Sequence, residues 1–342
     1  MRSTAPYDVM VALLAGHAEQ TPASTVTRAF AAPVAFWQRA LVLEACAVQL
    51  DRALRASPLE PLAPSPLRRL LRDATARAVR QTLTLPGQLT ELANAAREPG
   101  IRTMVLKGAA RALKATIPAA RSMSDIDVLT APHDAGRLHQ FLRHRLGYEP
   151  LSAAPEHHLP TLMRPGTLAI EVHVRLGPRP TGLDTRIWRE ARGVNGTDLV
   201  VPSPTSTLLH ALEHGALVDW AVRYHLRDLR DVADAWSTDV DPAEVAGYLR
   251  GHPQRAALAT MIGGARCFAP DIPAGRPSAW GTIRRVAKSR HFVASHVAHG
   301  VFATSLCIAG GLLAEASPRA LLRPARLALF GVNQARVAPT EV

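Results

Sequence analysis

Cysteine, aromatic residues and lysine are all scarce in this chain, and each shortage excludes something. The three cysteines, Cys46, Cys267 and Cys307, are odd in number, far apart and without metal-type spacing. Neither a disulfide framework nor a thiolate zinc module is encoded, and buried thiols in a reducing compartment, the cytoplasm, are expected. Phe, Trp and Tyr together make up 5% of the chain, and no basic segment is interleaved with them as stacking surfaces require. A polynucleotide is therefore the less favoured partner. Lysine occurs only at Lys107, Lys114 and Lys288, so arginine carries almost all of the net charge of +12. Such a surface steers anions toward the protein without choosing among NTP, RNA, phosphorylated acceptors and acidic lipid heads. Internal repeats and low-complexity segments are also missing.

What is present is a globular composition, 47% hydrophobic and 20% charged over 342 residues, enough for two or three packed units with a real core. The first 99 residues read as helical. Val9–Ala15 is apolar but approached by Asp8 and followed by no clean cleavage site, so it predicts a helix rather than a signal peptide. Val34–Ala56 and Leu67–Leu83 carry apolar residues at helical spacing around the Pro-rich stretch 57–66, and Pro86-Gly87 opens a further helix through Ala96. Pro99-Gly100 marks the start of a region at 100–200 in which strands alternate with helices, including an amphipathic helix His133–Leu146 closed by Gly147. From 201 to 342 the pattern is again helical, starting near Pro204, with a Pro/Gly-rich break at Ala269–Ser278.

The chemistry concentrates in the middle region. Thr103–Leu106 is a short apolar, partly β-branched run, Lys107-Gly108 makes a turn, and helix formers follow from Ala109. A glycine turn at a helix start lets backbone N–H groups approach a phosphate. Asp125-Ile126-Asp127-Val128-Leu129 reads as a strand whose two aspartates share a face about 6–7 Å apart. Leu168–Val174 alternates as a half-buried strand with Glu171 and His173 on one face. If the two strands are neighbours, Glu171 joins Asp125 and Asp127 to give the three oxygen ligands of a two-metal phosphoryl-transfer site.

Leu106-Lys107-Gly108, Arg121, Asp125-Ile126-Asp127 and Glu171-Val172-His173, in that order, resemble the polymerase-β-type nucleotidyltransferase superfamily. Within it they are most similar to a little-characterised bacterial family, and the likeness extends to Leu209–Gly215 and Asp228-Leu229. The gap from Gly108 to Asp125 is longer than in most of the superfamily but suits that family. The resemblance implies an α+β fold, a small mixed β-sheet nucleotidyltransferase core flanked by N- and C-terminal helical regions. It implies Mg²⁺, as two ions, with Mn²⁺ as a substitute, bridged by Asp125 and Asp127 and completed by Glu171, which doubles as a candidate base for the acceptor hydroxyl. Gly108 with the N–H groups of Ala109 and Ala110 would cradle the β/γ-phosphates, and Lys107 and Arg121 would neutralise them. Ser124 closes the loop, His173 is a candidate nucleotide contact, and His214 and Asp228 would line the nucleotide cleft. The implied reaction moves an NMP from NTP to an acceptor hydroxyl or phosphate with release of pyrophosphate. Relatives encoded near biosynthetic genes suggest an alternative, a tailoring transferase that uses a nucleotide-activated donor on a peptide or small-molecule natural product.

Three other readings compete. The site could bind nucleotide without turnover as a regulatory module. His210-Ala211-Leu212-Glu213-His214 fits the H-x-x-E-H signature of inverted zinc peptidases, a pattern with a high chance rate among 14 histidines. His291–Leu313 is apolar for about 20 residues but contains three histidines and Gly310-Gly311, which predicts a buried helix rather than a membrane span. Arg319, Arg323 and Arg326 beyond it leave a peripheral membrane contact as a minor reading.

Overall fold

The structure is a computed structural model, and it describes residues 5–113, 123–151, 157–177, 180–218 and 225–273. Its first part is built from α1 (Ala5–Ala15), α2 (Ala23–Phe30), α3 (Val34–Glu44), α4 (Ala47–Arg55) and the long α5 (Ser65–Arg97). Met10 and Leu13 of α1, Trp37 of α3, Leu50 of α4 and Leu71 of α5 interdigitate in a core of their own.

Two helix boundaries differ from the sequence expectation. The periodic stretch 34–56 is two helices, because Ala45 takes a left-handed conformation (φ +48°) and closes α3 through its N–H to Leu41 O. Alanine is a strong helix former, so nothing in the pattern marks that break. Conversely, α5 runs without interruption through Pro86. An internal proline costs about 3 kcal/mol, yet Leu85, Leu89 and Leu92 on either side of it are buried, and each such side chain returns about 1.5–3 kcal/mol.

The middle region forms a seven-stranded mixed sheet from β1 (Thr103–Val105), β2 (Asp125–Leu129), β3 (Glu149–Pro150), β4 (Leu162–Met163), β5 (Ala169–His173), β6 (Arg192–Gly193) and β7 (Leu199–Val201). The spatial order is β3-β4-β5-β2-β1-β7-β6, with β1/β7 and β2/β5 parallel and the other pairs antiparallel. This is the expected α+β arrangement of a small mixed sheet between helical regions.

The sheet is covered on both faces. Ile126, Val128, Ile170 and Val172 pack on α5 and on α7 (Pro132–Leu146), whose C-terminus Gly147 (φ +69°) terminates as the sequence predicts. Met104, Leu106 and Leu129 join the opposite layer, made by α8 (Gly182–Arg189), α9 (Pro204–Glu213), α10 (Leu226–Ala235), α11 (Pro242–Gly251) and α12 (Arg255–Ala265). Gln88 of α5 clamps the start of β5. Its buried amide donates to Leu168 O (2.9 Å) and to Tyr148 Oη (3.0 Å), while Leu168 N donates to Gln88 Oε1 (2.9 Å).

Cys46 is buried as expected, but Cys267 is exposed, because it follows the last turn of α12 rather than sitting on its packed face. Among the described residues no helix is long and apolar enough to cross a membrane. The segment His291–Leu313, the arginines beyond it, Cys307 and Arg121 lie outside the described residues.

Candidate active site

β2 and β5 lie side by side in parallel, with Asp127 opposite Glu171 and Leu129 opposite His173. Strand alternation sends Ile126, Val128, Ile170 and Val172 into the α5/α7 layer, so Asp125, Asp127, Glu171 and His173 emerge together on the other face. There they line a cleft of about 320 Å³ to which α9 and α10 contribute the opposite wall.

The turn after β1 supplies the cation. The chain crosses from strand to the short helix α6 (Lys107–Ala112) with Leu106 N donating to Asp127 O at 2.9 Å. The left-handed residue of this turn is Lys107 (φ +47°), a conformation that costs a lysine about 1–2 kcal/mol. That geometry delivers Lys107 Nζ to Asp127 Oδ1 at 2.7 Å. His173 Nε2 meets the same oxygen at 2.9 Å.

Burial opposes ionisation of Asp127, but Lys107 and His173 outweigh it and hold the carboxyl well below its usual range. The partners shift in the complementary sense. Burial pushes Lys107 down, and Asp127 more than compensates, leaving it raised. His173 is likewise raised against burial by its bonds to Asp127 and Glu171. Glu171 ends below its ordinary value, since the His173 contact overrides burial, and its Oε1 also accepts from Thr161 Oγ1 (3.1 Å). Asp125 goes the other way, raised by burial and by the Asp127 charge, with Oδ2 accepting from Ser124 Oγ (3.0 Å).

A divalent cation fits this donor set. Among the described residues, Asp127, Glu171 and His173 each offer a ligand atom within 4.8 Å of the others. His173, expected as a nucleotide contact, thus stands among the potential ligands, whereas Asp125 lies on the same face outside that tight group. Gly108 and Ala109 open α6 beside Lys107; Ala110 lines the cleft, but its N–H, expected to face the phosphates, donates to Leu106 O at 3.1 Å as the first bond of the helix.

The opposite wall carries the downstream motif. His210, His214, Gly215 and Asp228 all line the cleft. After α9 the chain makes one π-helical turn, His214–Val218, of a kind often found at functional sites. Asp228 is buried; its Oδ1 accepts from Arg227 Nε (3.1 Å), while Oδ2 has no partner among the described residues. Arg111 ties α6 to α10 through Asp231 (2.9 Å) and Asp234 (2.7 Å). Gly215 allows this wall to close, because a Cβ there would stand 2.3 Å from Met261 Cε and 3.1 Å from Asp228 Cβ. Gly215→Ala is accordingly expected to lower stability by about 1–3 kcal/mol through overpacking, read as a drop in thermal midpoint; an unchanged midpoint would show that Met261 and α10 yield freely.

The H-x-x-E-H pattern does not assemble a zinc site among the described residues. Glu213 accepts from Thr181 Oγ1 (3.2 Å) and from Tyr248 Oη in a very short bond, and meets His252 Nε2 at 3.2 Å. Burial leads the rise of its carboxyl toward the neutral form. His210 is buried and held uncharged by burial and by the adjacent His214.

Two residues escaped the sequence reading. His157 and His158 enter the cleft beside His173, with ring centroids 5.5 and 5.1 Å from it, and His158 forms a single antiparallel bridge to His173. Burial and the neighbouring imidazoles lower His157 to about 3, so it stays neutral. One isolated bridge leaves no alternation to detect; the only available signal was the adjacent histidine pair itself.

The chain belongs to the family described as uncharacterised nucleotidyltransferase, which it matches over residues 45–265. Its general chemistry is therefore nucleotidyl transfer. No curated protein matches the chain. Among solved structures, that of an antigenic nucleotidyltransferase-like protein from Paracoccidioides brasiliensis is similar at 18% identity, over 52% of this chain and 93% of that one, with a TM-score of 0.32. A likeness that slight says nothing about the cleft.

Proposed function

We propose that this protein is a divalent-metal-dependent nucleotidyltransferase that moves an NMP from NTP to an acceptor hydroxyl or phosphate and releases pyrophosphate. The observation that carries the reading is the β2/β5 register, which sets Asp127 against Glu171 in a cleft that also holds Lys107. Asp125, Asp127 and Glu171 would hold Mg²⁺ or Mn²⁺, which supply charge neutralisation and in-line alignment at the α-phosphate. Lys107 exchanges its bond to Asp127 for the β/γ-phosphates, beside Gly108 and the N–H group of Ala109, and Arg121 adds a bidentate cation. Ser124 fixes the Asp125 carboxylate. Glu171, opposite Asp127 on the neighbouring strand, would complete the metal next to the acceptor group or take up the proton that leaves it.

Across the cleft, the free oxygen of Asp228 and the ring of His214 bind the sugar or base, where a buried carboxylate oxygen finds the donor it lacks. A cleft of about 320 Å³ is of the size of a small-molecule site, and with aromatics at only 5% of the chain a peptide or small-molecule natural product is the acceptor class we favour, in the cytoplasm. The assay supplies each NTP labelled at the α-phosphorus together with fractionated small molecules and peptides. The expected result is metal-dependent label on an acceptor with one pyrophosphate per transfer. Tight NTP binding with no labelled product under any of these conditions would instead make the cleft a regulatory nucleotide sensor.

A further inference from the structure

Mg²⁺ takes oxygen donors in a near-ideal octahedron and gives up its water reluctantly. The tightest ligand cluster among the described residues is not of that kind. Asp127, Glu171 and His173 bring two carboxylates and one imidazole within 4.8 Å of one another. His173 Nε2 lies 2.9 Å from Asp127 Oδ1 and 3.7 Å from Glu171 Oε2.

Donors that share one ion at about 2.1 Å stand about 3.0 Å apart on an octahedral edge and about 3.4 Å apart on a tetrahedral one. The imidazole is therefore at ligand spacing from one carboxylate and close to it from the other. It is also pre-placed. His173 is 2% exposed on a paired strand, bridged on one side to His158 and backed on the other by β2, so its ring cannot swing out of the site without unpacking the sheet. Asp125, on the same face, accepts from Ser124 Oγ at its Oδ2 and stands outside the cluster.

From this geometry we infer that His173 is itself a metal ligand, its Nε2 proton released to solvent and the Lys107 ammonium displaced from Asp127 Oδ1 as the ion enters, and that the Asp127–Glu171–His173 position selects first-row transition ions, Mn²⁺ among them, over Mg²⁺. An imidazole donor favours first-row transition ions over Mg²⁺, and the two hard carboxylates keep Mn²⁺ within that set, which makes it the paramagnetic probe of the site. The inference rests on the cleft being a metal site, but not on turnover or on the identity of the acceptor.

The experiment uses the full chain without nucleotide and reads binding and spectroscopy. Mn²⁺ is titrated by the loss of its free-ion paramagnetic resonance signal, with Mg²⁺ as competitor, and the bound ion is examined by electron spin echo modulation. The expected results are a preference for Mn²⁺ of at least about tenfold and modulation from a directly coordinated nitrogen. His173→Gln should erase the nitrogen modulation, weaken Mn²⁺ by about ten- to a hundredfold and leave Mg²⁺ nearly unchanged. Bound Mn²⁺ without nitrogen coupling in the natural protein, equal competition by Mg²⁺, or nitrogen coupling that survives His173→Gln would each overturn the assignment. Because the first measurement needs no variant, the question is decided even if His173→Gln fails to fold. Nitrogen-coupled Mn²⁺ with no nucleotidyl transfer would refute the proposed function alone; Mg²⁺-supported transfer with no nitrogen coupling would refute this inference alone.

Discussion

Asp127→Asn is expected to reduce nucleotidyl transfer by roughly 10³-fold or more, equivalent to about 4 kcal/mol of lost transition-state stabilisation. It should also destabilise the protein in the absence of metal by about 3–5 kcal/mol. The second effect follows from burial. Asp127 is 3% exposed and is the shared partner of Lys107 and His173, so its neutralisation removes the main counter-charge of two groups and leaves them only the more distant carboxylates of Glu171 and Asp125. The pH dependence has a definite sign on each flank. Asp127 is depressed, so its contribution is complete above the unfolded carboxyl value of about 3.9 and is lost as pH falls through the lower folded value. His173 is raised, so its contribution is complete below the unfolded imidazole value of about 6.5 and is lost as pH rises through the higher folded value. Thermal midpoints of the metal-free protein should peak between these limits, and both flanks should flatten in Asp127→Asn. A variant whose pH profile parallels that of the natural protein would mean that the Lys107–Asp127–His173 cluster does not hold together in solution.

How much of this was legible in the sequence varies with the kind of interaction. Local signals transferred well: the β-branched run before Lys107, the alternation around Glu171 and the Gly147 stop each produced the expected element. Where tertiary packing overrides local preference the sequence misled, as at Pro86, retained inside α5 because both of its flanks are buried against the sheet, and at Ala45, where a helix former closes a helix.

The same division runs through the cleft. Asp125, Asp127 and Glu171 could be placed on one face because a two-residue period fixes direction once strands are assigned, and the parallel β2/β5 pairing puts them side by side. The partners of those groups could not be read. That Lys107 would bond Asp127 depends on a left-handed turn at a lysine, which no propensity favours. That Glu213 would turn to Tyr248 and His252 instead of joining His210 and His214 depends on residues 35 and 39 positions away. Spacing limits which faces side chains can share, while partner choice is settled by packing between distant elements.

Lys107 is the position where strain and charge meet, and two substitutions separate them. Lys107→Ala removes the ammonium but keeps a Cβ in the left-handed region; Lys107→Gly removes both the charge and the conformational penalty. Both should weaken NTP binding by roughly ten- to a hundredfold, because a charge-assisted contact contributes about 1.5–3 kcal/mol, while NMP binding changes much less. Both should also lower stability by about 3 kcal/mol through the stranded Asp127 carboxylate, the lower end of the range for a broken buried pair because His173 still bonds it. The glycine variant should nevertheless be more stable than the alanine variant by about 1 kcal/mol, the strain that glycine does not bear. Calorimetric titration with a nonhydrolysable NTP and with NMP, together with denaturant melts of the two variants, provides all the comparisons. Equal losses for NTP and NMP would move Lys107 from the triphosphate to the sugar or to the fold alone. Equal stability of the alanine and glycine variants would show that the turn relaxes without the lysine, and that the left-handed geometry is imposed by the Lys107–Asp127 bond rather than by the backbone around it.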